Sequence, residues 1–199
     1  MKAKIIAFLF SLIAIAPLSA QHYRGFFDAY GMLRVKSAPS NYHIPTGDYG
    51  WRVWGAGATT SHGIQLNKLF IGLGAGYYST ADNHSIPIFA DARWDFFGTR
   101  GVNFFAGIKL GYNKCIYSPT PWGVGQYDEK NTSSFYFQPS VGMRIRTGHS
   151  HGLNISLNYI PLRQQIVERN NEINNDDHSW TPIGYYTKGY IALGVGFDF

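Results

Sequence analysis

The sequence has little of what usually stabilises a small exported or water-soluble domain. Cys115 is the only cysteine, which excludes an intramolecular disulfide, and no His or Asn arrangement around it suggests a nucleophile. Only 15% of the 199 residues are charged, against roughly 25% in an average chain. The lysines and arginines form no basic run, so the net charge of +5 does not indicate a nucleic-acid partner. The fold must therefore depend on backbone pairing and packing.

Long hydrophobic runs are absent after the N-terminal segment. Lys2 and Lys4 precede an apolar run over residues 5–18, and the small residues Ser19 and Ala20 offer a cleavage site before Gln21. This run is shorter than the ~20 residues of a membrane-spanning helix. We therefore expect residues 1–20 to be a cleaved secretory signal peptide and residues 21–199 to form one exported domain. A helical membrane protein is excluded by length.

Apolar residues instead recur at every second position, which is the period of a β-strand whose two faces meet different surroundings. In the last segment, Ile191, Leu193 and Val195 alternate with small residues. The exception is Trp51–Leu66, where neither face is cleanly apolar and His62 interrupts one of them, so we expect a β-bulge there. The pattern predicts eight strands: Tyr23–Lys36, Trp51–Leu66, Leu69–Tyr78, Ile86–Phe97, Val102–Lys114, Phe135–Thr147, Leu153–Tyr159 and Lys188–Phe199.

The connections between these segments alternate in length. Short turns are predicted at Asn67-Lys68, Gly98–Gly101 and Gly148–His151, and longer polar loops at Ser37–Gly50, Ser79–Ser85, Cys115–Ser134 and Arg163–Tyr186. Short turns at one rim and long loops at the other are typical of outer-membrane barrels. A sheet in hydrocarbon must also close, because unpaired backbone groups there are costly. We therefore predict an all-β, closed, eight-stranded, antiparallel up-and-down transmembrane β-barrel of a Gram-negative bacterium.

The inward positions carry charges of both signs. Isolated charges in a narrow lumen are strongly disfavoured, so we expect them to pair across the barrel and fill it. The predicted lumen network comprises Arg24, Asp28, Arg34, Asp91, Arg93, Asp95, Lys109, Arg144, Arg146, Lys188 and Asp198.

The mature chain resembles the small eight-stranded outer-membrane barrels that include the membrane domain of OmpA and OmpX. The likeness rests on the signal segment, the loop asymmetry, the segment Ile86–Arg93 and the final strand Tyr190–Phe199. Phe197 and the C-terminal Phe199 look like the signal that the barrel-assembly machinery recognises. The resemblance implies that this machinery and outer-membrane lipid are partners. Members of the family differ in function, so it implies no activity.

Two sequence features are candidates for chemical sites. His149-Ser150-His151 lies in a predicted turn without a nearby carboxylate, and Asp176-Asp177-His178 has neither zinc-type nor calcium-loop spacing. We assign no catalytic residue, metal or cofactor.

The long loops are the remaining functional surface. Trp122, Tyr127 and Trp180 on these loops suit recognition of an extracellular partner or glycan, although the loops could simply cap the barrel. The sequence therefore predicts a non-enzymatic outer-membrane barrel with a structural or surface-interaction role. The alternatives are a lipid-modifying enzyme, a small-solute channel or a soluble lipocalin-like binder.

Overall fold

Strands make up nearly all of the chain that the structure describes. This computed structural model describes residues 21–36, 54–80, 84–99, 101–117, 127–148, 151–169 and 180–199. Within those ranges, no helix has the length and hydropathy needed to cross a membrane. The strands are β1 (Gln21–Lys36), β2 (Trp54–Leu66), β3 (Leu69–Thr80), β4 (His84–Gly98), β5 (Val102–Tyr117), β6 (Tyr127–Asn131), β7 (Ser134–Arg146), β8 (Gly152–Arg169) and β9 (Trp180–Asp198).

Eight of these strands form a closed antiparallel ring. The order is β1-β2-β3-β4-β5-β7-β8-β9, and β9 pairs with β1 to close the sheet. Gly25 and Phe199 complete the closure through two backbone hydrogen bonds of 2.8 and 3.0 Å. The predicted closed eight-stranded barrel is thus confirmed. Strand β6 is an addition that the sequence analysis did not predict, and it pairs with the outer part of β8.

The two ends of the barrel differ in their connections. At the turn end, β2 and β3 meet in a two-residue turn, where Asn67 adopts a left-handed φ of 53° that asparagine tolerates well. The β4–β5 and β7–β8 connections lie at the same end. The opposite rim is called the loop end below.

Successive side chains in the ring alternate between the lumen and the outside. On β3, Leu69, Ile71 and Leu73 are exposed on the outer face, while Phe70 is fully buried in the lumen. Strand β9 sorts its residues in the same way, with Leu193 outside and Ala192 inside. This period of two follows from the pleat of a strand.

Strand β2 contains no bulge, so that expectation was wrong. From Gly55 to Leu66 it pairs with both β1 and β3 in one uninterrupted register. His62 lies on the outer face, where its ring forms hydrogen bonds with Tyr23 (2.6 Å) and Thr60 (3.1 Å). A polar residue can therefore occupy the outer face without a change of register. Residues 51–53 of the predicted segment lie outside the described residues.

Several strands extend into segments that were predicted to be loops. The β8–β9 ladder continues to the pair Arg169↔Trp180, and β5 includes the half-buried Cys115. Tyr127 begins β6 and Trp180 begins β9, so neither lies in a loop as predicted, whereas Trp122 lies outside the described residues. Spanning a bilayer needs only about nine to eleven residues per strand, but aromatic and β-branched residues keep the ladder paired beyond that length.

Candidate functional site: the filled lumen and the loop-end strands

The turn-end half of the lumen contains a compact charged cluster. Asp28 comes from β1, Asp91 and Arg93 from β4 and Lys109 from β5, and each is at most 4% exposed. The inward parity of these strands brings the side chains to a similar height in the ring. Two carboxylates therefore face two cations in a space closed to solvent.

The contacts within this cluster join all four side chains. Arg93 Nη2 donates to Asp28 Oδ2 at 2.7 Å and to Asp91 Oδ2 at 2.9 Å. Lys109 Nζ lies 3.3 Å from Asp28 Oδ2 and donates to the Tyr30 hydroxyl at 2.7 Å. Ser61 Oγ donates to Asp91 Oδ2 at 2.7 Å. These charge-assisted bonds offset the desolvation of the ions, which would otherwise oppose folding strongly.

A second charged group lies closer to the turn end. Arg144 Nη1 donates to Asp95 Oδ2 at 2.8 Å, and its Nε lies 3.7 Å from Asp198 Oδ1. Arg24 also forms an ion pair with Asp198, so the penultimate residue links β9 to β1 and β7. Burial of this carboxylate ties the C-terminus to the lumen network.

Phe26 lies among three guanidinium groups and was missed by the sequence analysis. The guanidinium carbons of Arg93, Arg144 and Arg24 lie 4.0, 5.4 and 5.6 Å from its ring centroid. A ring face attracts cations, particularly where water is excluded. Its inward position could have been predicted from the alternation of residues on β1, since Phe26 shares the inward face of that strand with Arg24 and Asp28.

The loop-end half of the lumen has a different chemistry. A tyrosine and glutamine network crosses it, in which the Tyr78 hydroxyl lies 2.7 Å from that of Tyr136 and donates to Gln138 Oε1 at 2.8 Å. Inward apolar side chains surround this network. The resulting apolar layer consists of Tyr30, Met32, Tyr78, Phe89, Tyr136, Ile160, Leu162, Tyr190 and Ala192.

Inward glycines make room for these rings. A Cβ atom on Gly194 would lie 2.5 Å from Ser156 Oγ and 3.0 Å from the Tyr30 ring. A Cβ atom on Gly142 would lie 2.7 Å from the Phe105 ring. Real Cβ atoms do not approach this closely, so the lumen is packed to the point where these positions exclude a side chain.

The remaining residues of the predicted network lie away from these two charged groups. Arg34 is half-buried on the inward face of β1, and Lys188 is buried within the loop-end half. Arg146 is exposed at the turn end, because it is the last residue of β7. Phe197 and Phe199 lie on the outer face, with their ring centroids 5.8 Å apart.

Most of the candidate chemical residues lie outside the part of the chain that the structure describes. His149, Ser150 and Asp176-Asp177-His178 lie outside the described residues, and His151 is exposed in the turn before β8. Among the side chains that the structure describes, no three His, Cys, Asp or Glu residues group in a way that could hold a metal ion.

These features define a closed antiparallel β-barrel with an apolar exterior and a filled lumen. No family model and no curated protein matches the chain. Among solved structures, the chain is similar to Neisserial surface protein A, with a TM-score of 0.57 and 13% identity over 89% of this chain and 97% of that one. It is also similar to the outer membrane protein OprG from Pseudomonas aeruginosa, with a TM-score of 0.56 and 10% identity over 89% and 95% of the two chains. At these identities the likeness shows a shared fold and does not single out the OmpA and OmpX group.

Proposed function

We propose that this chain spans the outer membrane of a Gram-negative bacterium as a non-enzymatic barrel with a structural or surface-interaction role. The observation that carries the proposal is the exposed apolar outer face of the ring, on which Leu73, Ile88 and Leu193 are 73%, 61% and 59% exposed. Soluble monomers rarely expose a contiguous apolar surface of this kind, whereas a bilayer would cover it.

Aromatic residues near both rims support the membrane assignment. At the turn end, the rings of Phe97 and Phe104 lie 6.0 Å apart on the outer face. Toward the loop end, Tyr77 and Tyr112 are exposed, and the Tyr77 hydroxyl forms a 2.7 Å hydrogen bond with His84. Rings with a polar atom at one end suit the boundary between hydrocarbon and water. Outer-membrane lipid and the barrel-assembly machinery are the corresponding proposed partners.

The filled lumen favours a closed barrel over a small-solute channel. Buried ion pairs occupy its turn-end half and the apolar layer occupies its loop-end half. An eight-stranded ring has an interior just wide enough for such side chains.

The extension of β8 and β9 supports the surface-interaction role. On the extended part of this β8–β9 ladder, the Arg163 guanidinium lies 4.3 Å from the centroid of the exposed Tyr185 ring. Gln165 Nε2 donates a hydrogen bond to the Tyr185 hydroxyl at 3.1 Å. Aromatic and polar side chains held on a rigid ladder suit recognition of an extracellular partner or surface glycan.

Expression of the full chain in a Gram-negative bacterium tests the membrane assignment. The protein should fractionate with the outer membrane, and its gel mobility should change when the sample is boiled, because a folded barrel resists detergent. Recovery in the soluble or inner-membrane fraction would contradict the proposal. For the surface role, we expect Tyr185→Ala to weaken binding of intact cells to immobilised glycans. Tyr112→Ala is the matched control on the outer face of the ring.

A further inference from the structure

The pairing of β1 with β9 closes the ring and joins residues that lie far apart in the chain. Arg24 and Asp198, which meet at its turn end, are 174 residues apart. Bringing such distant segments together costs more chain entropy than pairing the two strands of a hairpin. No short turn fixes the register here, as it does in a hairpin, so the register depends on contacts between the two strands. We call this pairing the closing seam.

Gly25 on β1 forms a notch on the outer face of the closing seam. The ring of Phe199 lies over it, since a Cβ atom on Gly25 would come within 2.6 Å of Phe199 Cε2 and Cζ. The two residues also exchange backbone hydrogen bonds of 2.8 and 3.0 Å. Real Cβ atoms do not approach a ring so closely, so any larger residue at position 25 would displace it. We call the space above Gly25 the Gly25 notch.

The far wall of the notch is His62 on β2. Gly25 pairs with His62 on the side away from β9, and the rings of His62 and Phe199 meet edge to face with their centroids 5.9 Å apart. Two strands separated by a third lie about 10 Å apart, so an outward side chain ordinarily contacts only the adjacent strand. Because Gly25 has no side chain, Phe199 reaches across β1 and joins three strands.

Hydrogen bonds hold His62 in place as this wall. The Tyr23 hydroxyl lies 2.6 Å from Nδ1, and Thr60 Oγ1 lies 3.1 Å from Nε2. Thr60 Oγ1 also donates to the carbonyl oxygen of Phe26 at 3.1 Å. Tyr23 and Phe26 lie on either side of the notch along β1, so the imidazole is tied to this strand at both ends. The wall is therefore fixed relative to β1.

A second outward glycine on β1 has no ring over it. Gly31 lies between Leu193 on β9 and Ala56 on β2, and a Cβ atom there would meet nothing within 4 Å. A glycine beside the closing seam is thus not enough to draw a ring across the strand. The arrangement is particular to Gly25.

The inward charges leave one competing register open. A shift of β9 by one residue would turn its apolar face into the lumen, so only shifts of two residues preserve the faces. Asp198 now lies opposite Phe26. One shift would bring it opposite Asp28, where like charges repel. The other would bring it directly opposite Arg24, so ion pairing does not exclude this second register.

The Gly25 notch disfavours both shifts. Phe199 would lie opposite Tyr23 in the register that pairs Asp198 with Arg24, and opposite Phe27 in the other. In either case a ring would meet another ring where it now meets a glycine. Only the observed register lets the Phe199 ring lie against the strand.

We propose that the Gly25 notch is the docking site of the Phe199 ring and selects the register in which β9 closes onto β1. The notch acts on the outer face of the seam. On the inner face, Arg24 Nε donates to Asp198 Oδ2 at 2.8 Å. Docking of the ring distinguishes two closed barrels that this ion pair alone would both accept.

Cysteine cross-linking of the full chain tests this inference. In a Cys115→Ser background, Ala29→Cys with Val195→Cys reports the observed register, and Ala29→Cys with Leu193→Cys reports the register that pairs Asp198 with Arg24. Opposite residues of a ladder lie within disulfide reach, whereas diagonal residues do not without backbone movement. The protein would be refolded from urea into lipid vesicles and oxidised, and linked peptides would be quantified by mass spectrometry.

Removal of the ring should admit the shifted register. We expect Phe199→Ala to raise the ratio of shifted to observed cross-link about ten-fold, the effect of losing one aromatic contact. Phe199→Tyr keeps the ring and should leave the ratio unchanged. Gly25→Leu fills the notch and should raise the ratio, whereas Gly31→Leu is its matched control and should not. Adding Gly25→Leu to Phe199→Ala should cause no further rise, because no ring remains to be displaced.

Three results would overturn the inference. An unchanged ratio in Phe199→Ala would show that the ring does not select the register. An equal rise in Gly31→Leu would show that any bulky residue on β1 disturbs the seam. Additive rises from Gly25→Leu and Phe199→Ala would show that Gly25 acts independently of the ring. If Gly25→Leu does not fold, Phe199→Ala and Phe199→Tyr still decide the outcome, because neither fills the notch.

Discussion

Removal of one buried carboxylate should destabilise the barrel strongly. Asp91→Ala takes away the acceptor of three Arg93 hydrogen bonds, two from Nε at 3.3 and 3.1 Å and one from Nη2 at 2.9 Å. It also leaves Ser61 without its acceptor and Arg93 and Lys109 with Asp28 as their only carboxylate in the cluster. Breaking a buried ion pair by removing one partner costs about 3–5 kcal/mol. We expect about 3 kcal/mol, the lower end, because Arg93 keeps its 2.7 Å bond to Asp28.

The assay is urea unfolding from lipid vesicles, followed by tryptophan fluorescence and by gel mobility. Ser61→Ala, which removes only the hydroxyl donor to Asp91, should cost about 1 kcal/mol and serves as the control. Combining Asp91→Ala with Lys109→Met restores the charge balance of the cluster, so the double variant should be more stable than Asp91→Ala alone. A free energy of unfolding for Asp91→Ala within about 1 kcal/mol of the wild type would refute the reasoning, since an uncompensated buried cation costs more than that.

Three further outcomes are expected. Leu193→Arg on the outer face should cost about 2–4 kcal/mol in vesicles if the residue lies near the bilayer midplane, whereas Leu193→Ala should cost less, and equal tolerance of both would contradict the face assignment. Gly194→Val should destabilise the fold, because even a Cβ there would meet Ser156 Oγ at 2.5 Å, while Gly31→Val meets nothing within 4 Å and is the matched control. Planar bilayers containing the wild-type protein should show no steady conductance. A stable ion-selective open state would contradict the filled lumen and support the small-solute channel instead.

The alternation of residue types was enough to predict the ring. In Lys188–Phe199 the apolar parity is unbroken, so the faces of β9 follow from the sequence alone. The alternation of short and long connections likewise predicts antiparallel neighbours, because turns of two to four residues can join only adjacent strands. The faces of strand β2 could not be predicted in this way, because a polar His62 among outward apolar residues looks like a bulge in the sequence. In the structure His62 stays on the outer face, where hydrogen bonds to Tyr23 and Thr60 satisfy its ring.

Parity also predicts which charges point inward, but the choice of partner depends on the closed ring. Asp28 and Lys109 are 81 residues apart in the chain and meet only because β1 and β5 face each other across the lumen. The separation of the charged cluster from the tyrosine-rich loop-end layer arises in the same way, from the heights at which the registers place inward residues.

The gap in pairing between residues 132–139 and 159–163, beyond the end of the β7–β8 ladder, shows the limit of the sequence most clearly. Pro139 and Pro161 are visible in the sequence, and each lacks a donor wherever it lies. Only the register brings both prolines to the edges of the same gap, whose β8 side also contains the buried Ile160 and Leu162. The residue pattern of a strand gives its two faces but does not say which strand pairs with it. The effect of a missing N–H donor therefore depends on the neighbouring strand, which only the tertiary structure defines.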